Sequence, residues 1–146
     1  MMHSNDLLLA AQRALRSRFD DFVLAAQRQN ATAAEIALDD FEKTFTRWSE
    51  AEEKALIPAL ERAGIEGRDV RRELRLEYVQ IRELTRFVLR QVIDGIRLDD
   101  LRGYVENLGR RLRTHESEME RVYYPAAQNT LTDEEWKTLE EARPAD

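Results

Sequence analysis

Two stretches of this chain place nitrogen and oxygen donors at helical spacing. The first is Trp48-Ser49-Glu50-Ala51-Glu52-Glu53-Lys54-Ala55-Leu56-Ile57-Pro58-Ala59. The second, His115-Glu116-Ser117-Glu118-Met119-Glu120-Arg121-Val122-Tyr123-Tyr124-Pro125-Ala126, echoes it position by position. Each holds a core-facing residue, another four positions on, a glutamate beside that, then apolar residues, Pro and Ala. One copy keeps a carboxylate, Glu52, and the other an imidazole, His115. Paired His and Glu at a four-residue step put two donors on one helix face, which is how helical bundles hold metal ions. This chain has the pattern of such a pair with half its donors replaced.

Those donors need helices to carry them. Apolar residues recur at three- and four-residue steps in four segments, the signature of amphipathic helices. The first runs from about Asp6 to Arg28, with Leu8, Ala11, Leu15, Phe19, Phe22 and Ala26 facing the core. The second runs from about Ala33 to Ala63, the third from about Asp69 to Ile93, and the fourth from about Leu98 to Ala127 with Val122 and Ala126 in its apolar stripe. Thr32 with Glu35 is placed as a capping box, Gly64 as a helix stop, and Asp94-Gly95 as the end of the third helix. Short links between long helices predict an all-α, antiparallel up-down-up-down four-helix bundle. Thr132-Asp133-Glu134-Glu135-Trp136 predicts a short C-terminal helix whose Trp136 and Leu139 seal one end. Pro58 and Pro125 are expected to kink the second and fourth helices.

Polar residues interrupt all four apolar stripes: Gln12, Glu52, Tyr78 and His115, with Trp48 and Met119 beside them. Counted from the turns at about 1.5 Å of rise per residue, they fall in one layer of the bundle.

The chain resembles the hemerythrin-like, or HHE cation-binding, domains. The resemblance is carried by Glu52-Glu53-Lys54-Ala55-Leu56-Ile57-Pro58-Ala59-Leu60, by Glu77-Tyr78-Val79-Gln80-Ile81-Arg82-Glu83-Leu84, by His115 to Pro125, and by the ending Leu131-Thr132-Asp133-Glu134-Glu135-Trp136. It covers nearly all of the 146 residues as one domain. It implies a core that once held a di-iron centre. The family's helix-one His falls on Gln12, its helix-two His and Glu on Trp48 and Glu52, its helix-three His on Tyr78, and its helix-four His and Glu on His115 and Met119. Glu52 and His115 keep the ligand type; the other four do not. A degenerate site without metal is the expectation, with a single iron on Glu52, His115, Tyr78 and Gln12 as the alternative.

Three uses of such a layer stand side by side. In one, Glu52 is a buried carboxylate satisfied by His115, Tyr78, Gln12 and the Trp48 indole, because an unpartnered buried charge is costly. In the second, Trp48, Tyr78, Met119, Tyr123 and Phe45 line a small-ligand cavity. In the third, the bundle acts as an interaction module, binding a protein partner or dimerising.

Composition excludes several other classes. There are 23 basic and 29 acidic residues, net −6, which argues against nucleic-acid binding. The Arg68, Arg71, Arg72, Arg75 cluster and the Arg110, Arg111, Arg113 cluster read as solvated helix faces, the first interleaved with acids. No cysteine is present, so disulfides and thiolate chemistry are absent. No apolar run approaches a membrane span, the first fifteen residues make a poor signal peptide, and the expected location is the cytoplasm. No enzyme is expected: Ser49 has no base beside it, His3 lies at the terminus, and no phosphate-binding loop occurs.

Overall fold

A computed structural model describes residues 5–145; His3 lies outside them. Its helices are α1 (Asn5–Gln27), α2 (Ala31–Ala51), α3 (Ile57–Ala63), α4 (Val70–Ile93), α5 (Arg102–Glu118), α6 (Tyr124–Ala127) and α7 (Asp133–Ala142). A π turn, Glu52–Leu56, joins α2 to α3, and a second, Met119–Tyr123, joins α5 to α6. A 3₁₀ turn, Leu98–Leu101, leads into α5. Four rods result: α1, α2–α3, α4 and α5–α6. They pack as the all-α antiparallel bundle that the periodicity predicts, and no strand occurs among the described residues. None of the helices is long and apolar enough to cross a membrane.

The turn between α1 and α2 is tighter than expected. Gln29 takes a left-handed φ of 57°. Asn30, not Thr32, caps α2, its side chain accepting from the Ala33 N–H at 3.0 Å. Asn suits the cap, since its short amide reaches the orphan donors of the first turn. Gly64 stops α3 with φ 71° and its N–H on the Leu60 carbonyl, as the sequence reading has it.

Each proline is preceded by a π turn. Pro58 has no N–H for the Lys54 carbonyl, and its ring would strike that carbonyl in a regular helix. The chain widens instead, and the Ile57 N–H bonds back to the Glu52 carbonyl. The second copy repeats the device, with the Tyr124 N–H on the Met119 carbonyl ahead of Pro125. Each π turn inserts one residue, which rotates the chain beyond it by about 100°. The apolar stripe of the fourth rod shifts accordingly. Tyr123, Tyr124 and Ala127 are buried, while the expected Val122 and Ala126 are only partly so. In α1, Ala25 replaces Ala26 as the buried residue.

α7 carries the expected capping box between Thr132 and Glu135, and its Trp136 and Leu139 are buried. It does not close an end of the bundle. Arg62 ion-pairs Glu135 and donates to the Thr130 carbonyl at 2.8 Å, while Arg47 donates to the Glu141 carbonyl at 2.9 Å. α7 therefore runs back along the flank of the second rod. These arginines hold its two ends, which fixes the direction that the sequence leaves open.

Candidate functional site

The π turn at Glu52 aims a carboxylate at the centre of the bundle. Glu52 is 1% exposed. Its Oε1 accepts from the Tyr78 hydroxyl at 3.1 Å and its Oε2 from the Tyr124 hydroxyl at 2.8 Å. Tyr124 Oη in turn accepts from Gln12 Nε2. A chain of hydrogen bonds, Gln12 to Tyr124 to Glu52 and Tyr78 to Glu52, thus ties all four rods at one height. Burial pushes the Glu52 carboxyl up to about 7, against the lowering influence of His115 and of the two tyrosine hydroxyls. Burial beside Glu52 also raises both tyrosines well above the ordinary phenol value.

His115 lies next to this chain rather than in it. Its ring meets Tyr78 edge-on at 5.7 Å between centroids and Phe45 at 6.2 Å. Its Nδ1 bonds Glu77 on α4. With Nδ1 engaged by that carboxylate, Nε2 makes no hydrogen bond among the described residues. Glu52 and His115 are therefore each engaged by a different partner.

The four remaining positions are all buried. Gln12 donates to Tyr124. Tyr78 donates to Glu52. Met119 is fully enclosed in the apolar core. The Trp48 indole N–H is buried with no acceptor at hydrogen-bond geometry, although it lies near enough to Tyr124 to favour that phenol's ionised form. Among the described residues no three His, Asp or Glu side chains form a metal-ligand group.

Sequence reasoning misses two partners. Tyr124 is overlooked because a regular helix would turn it off the core face; the signal was Pro125 directly after it. Glu77 is overlooked because it neighbours Tyr78 on the same helix and reads as a surface acid.

Open space lies beside the layer, between α1 and α5, as a cavity of about 480 Å³. Phe45, Gln12 and His115 line it. The other residues expected around a pocket do not: Trp48, Tyr78 and Met119 are packed solid. Tyr123 sits apart, its hydroxyl accepting from Arg68 at 3.0 Å and donating to Glu73 at 3.4 Å. The bulk of a tryptophan and a methionine fills the bundle centre, so the free volume is displaced toward the α1–α5 side.

Three of the four arginines in the first cluster meet acids. Arg71 pairs with Glu61, Arg68 with Glu118, and Arg75 approaches Glu53 at 3.9 Å. Across the cavity mouth Arg16 holds the carboxylate of Glu116.

A family model described as Hemerythrin HHE cation binding domain matches residues 3–127, a span that includes all four rods and the whole polar layer. No curated protein and no solved structure matches the chain.

Proposed function

The chain belongs to the hemerythrin HHE cation-binding domain family, and we propose that in this member the metal layer has become a hydrogen-bonded polar core. The domain then acts as a non-catalytic binding or sensing module. The observation that carries this reading is the fate of Glu52, whose two oxygens are taken by Tyr78 and Tyr124 while His115 is held by Glu77. A di-iron centre takes imidazole and carboxylate donors. Here an indole stands at one such position, a thioether at another, and the two surviving donors are already engaged. That set does not fit a di-iron centre. The α1–α5 cavity gives the module a place to bind a small molecule.

A single iron on Glu52, His115, Tyr78 and Gln12 is the second reading; Tyr78 and Tyr124 both bond Glu52 directly, and a phenolate is a ferric ligand. Against it stands the burial of both phenols, which disfavours the phenolate.

Elemental analysis of untagged protein, grown in medium rich in iron, zinc and manganese, tests the choice. The expected result is below about a tenth of a metal ion per chain, since structural sites bind tightly enough to stay loaded. A content near one ion, lost in both Glu52→Ala and His115→Ala, would establish the mononuclear site instead.

A further inference from the structure

The α1–α5 cavity carries chemistry at its floor, wall and rim that the polar layer does not use. At the floor, Gln12 is 4% exposed and His115 3%. Gln12 spends its amide N–H on Tyr124, leaving its carbonyl oxygen without a donor among the described residues. His115 spends Nδ1 on Glu77 and leaves Nε2. The floor thus offers the Gln12 carbonyl oxygen as an acceptor and the second imidazole nitrogen of His115 beside it, on buried side chains whose other ends are fixed.

The wall is aromatic. Phe19 meets Phe41 edge-on at 5.5 Å and Phe41 stacks on Phe45 at 5.8 Å, so three rings follow one another along the groove. Gly109 keeps the opposite side clear. A Cβ there would stand 3.3 Å from Arg113 Nη1 and 3.5 Å from the Phe19 ring. A glycine inside a helix costs about 1 kcal/mol relative to alanine, and here it gives room to a guanidinium and a ring.

The rim carries one charge of each sign to spare. Arg16 and Glu116 neutralise one another. Arg113 and Asp20 also line the cavity, and among the described residues neither has an ion-pair partner. Asp20 lies eight positions beyond Gln12 on α1, about 12 Å along the helix axis.

We propose that this cavity binds a free aromatic α-amino acid whose ring ends in a hydrogen-bond donor, with the ring along the Phe19–Phe41–Phe45 wall. The carboxylate lies on Arg113, the ammonium on Asp20, and the ring's hydroxyl reaches Gln12 Oε1 or His115 Nε2. The zwitterion matches the rim's paired charges, which a simple carboxylate or amine matches only by half. The volume is within the range of small-molecule sites, roughly 300–1,000 Å³. This rests on the reading of the domain as a binding module, and it deepens that reading by naming the ligand class.

Isothermal titration calorimetry with L-tyrosine on the full chain, its metal content measured on the same sample, tests it. One saturable site is expected. Tyramine, hydroxyphenylpropionate and L-phenylalanine each lack one of the three polar groups and should each bind about tenfold more weakly, as a lost hydrogen bond to a charged or buried partner implies. Arg113→Gln and Asp20→Asn, both on exposed positions, should weaken L-tyrosine about tenfold; Arg113→Gln should leave tyramine unchanged, and Asp20→Asn should leave hydroxyphenylpropionate unchanged. No heat at about 2 mM ligand, or affinities equal across the four probes or in both variants, overturns the proposal. A metal ion in the sample overturns the polar-core reading instead, so the two failures are told apart.

Discussion

Tyr124 Oη donates to Glu52 Oε2 at 2.8 Å, across 72 residues of sequence, and accepts from Gln12 at the same time. That one hydroxyl joins the first, second and fourth rods. It reaches the core only because the π turn at Met119–Tyr123 rotates it there.

Removing it should be costly in a specific way. Tyr124→Phe strips a partner from a buried carboxylate and from a buried amide, and should cost about 2–3 kcal/mol of unfolding free energy. Tyr123→Phe, whose hydroxyl bonds the partly exposed Arg68 and Glu73, should cost less than about 1 kcal/mol. Urea unfolding of both variants checks this. Equal costs would mean that the Tyr124 hydroxyl does not bond Glu52 and Gln12.

Glu52 makes stability pH-dependent. Its folded value of about 7 lies above its ordinary one, so the folded chain keeps a proton that the unfolded chain releases. The contribution is full below about pH 4.5 and lost as pH rises through about 7. Glu52→Gln keeps the shape and removes the titration. The stability of the variant relative to the parent should therefore rise by roughly 3 kcal/mol between about pH 4.5 and pH 8. Urea melts at several pH values read it directly. Parallel stability curves for the two proteins would count against a Glu52 that titrates near neutrality.

Trp48 tests the cost of an unsatisfied donor. Its indole N–H is buried without an acceptor. Trp48→Phe loses some packing but also removes that donor, so its net cost should stay within about 1.5 kcal/mol, well under the 3–5 of a large aromatic truncated to alanine. A loss above about 3 kcal/mol would mean that the indole has a partner, such as an ordered water.

Arg16 and Glu116 close one side of the cavity. Burial raises the Glu116 carboxyl, and Arg16 works against that. Arg16→Ala lets Glu116 take up its proton at higher pH. The variant should lose at most about 1 kcal/mol at neutral pH, since the arginine is half exposed. The loss should shrink as pH falls and Glu116 takes up its proton in both proteins. A loss independent of pH would assign the effect to packing of the arginine stem.

The bundle is legible in local signals along the chain. Periodicity, the Gly64 stop and the Thr132 capping box are local signals, each expressed within a few residues, and they place the rods and their ends. The twice-occurring phrase also announced a repeated local device, with Pro58 and Pro125 marking it. What the phrase does not contain is whether the backbone takes up each proline with a π turn. That choice depends on whether Leu56, Ile57, Tyr123 and Tyr124 gain more from burial than the strained backbone loses, a balance set by the other three rods. The same holds for the partners of Glu52 and His115. Side chains far apart in sequence compete for one carboxylate, and a single inserted residue decides that Tyr124 bonds it. Tertiary packing also put the open volume between α1 and α5, where Gly109 leaves room, rather than in the bundle centre, which Trp48 and Met119 fill.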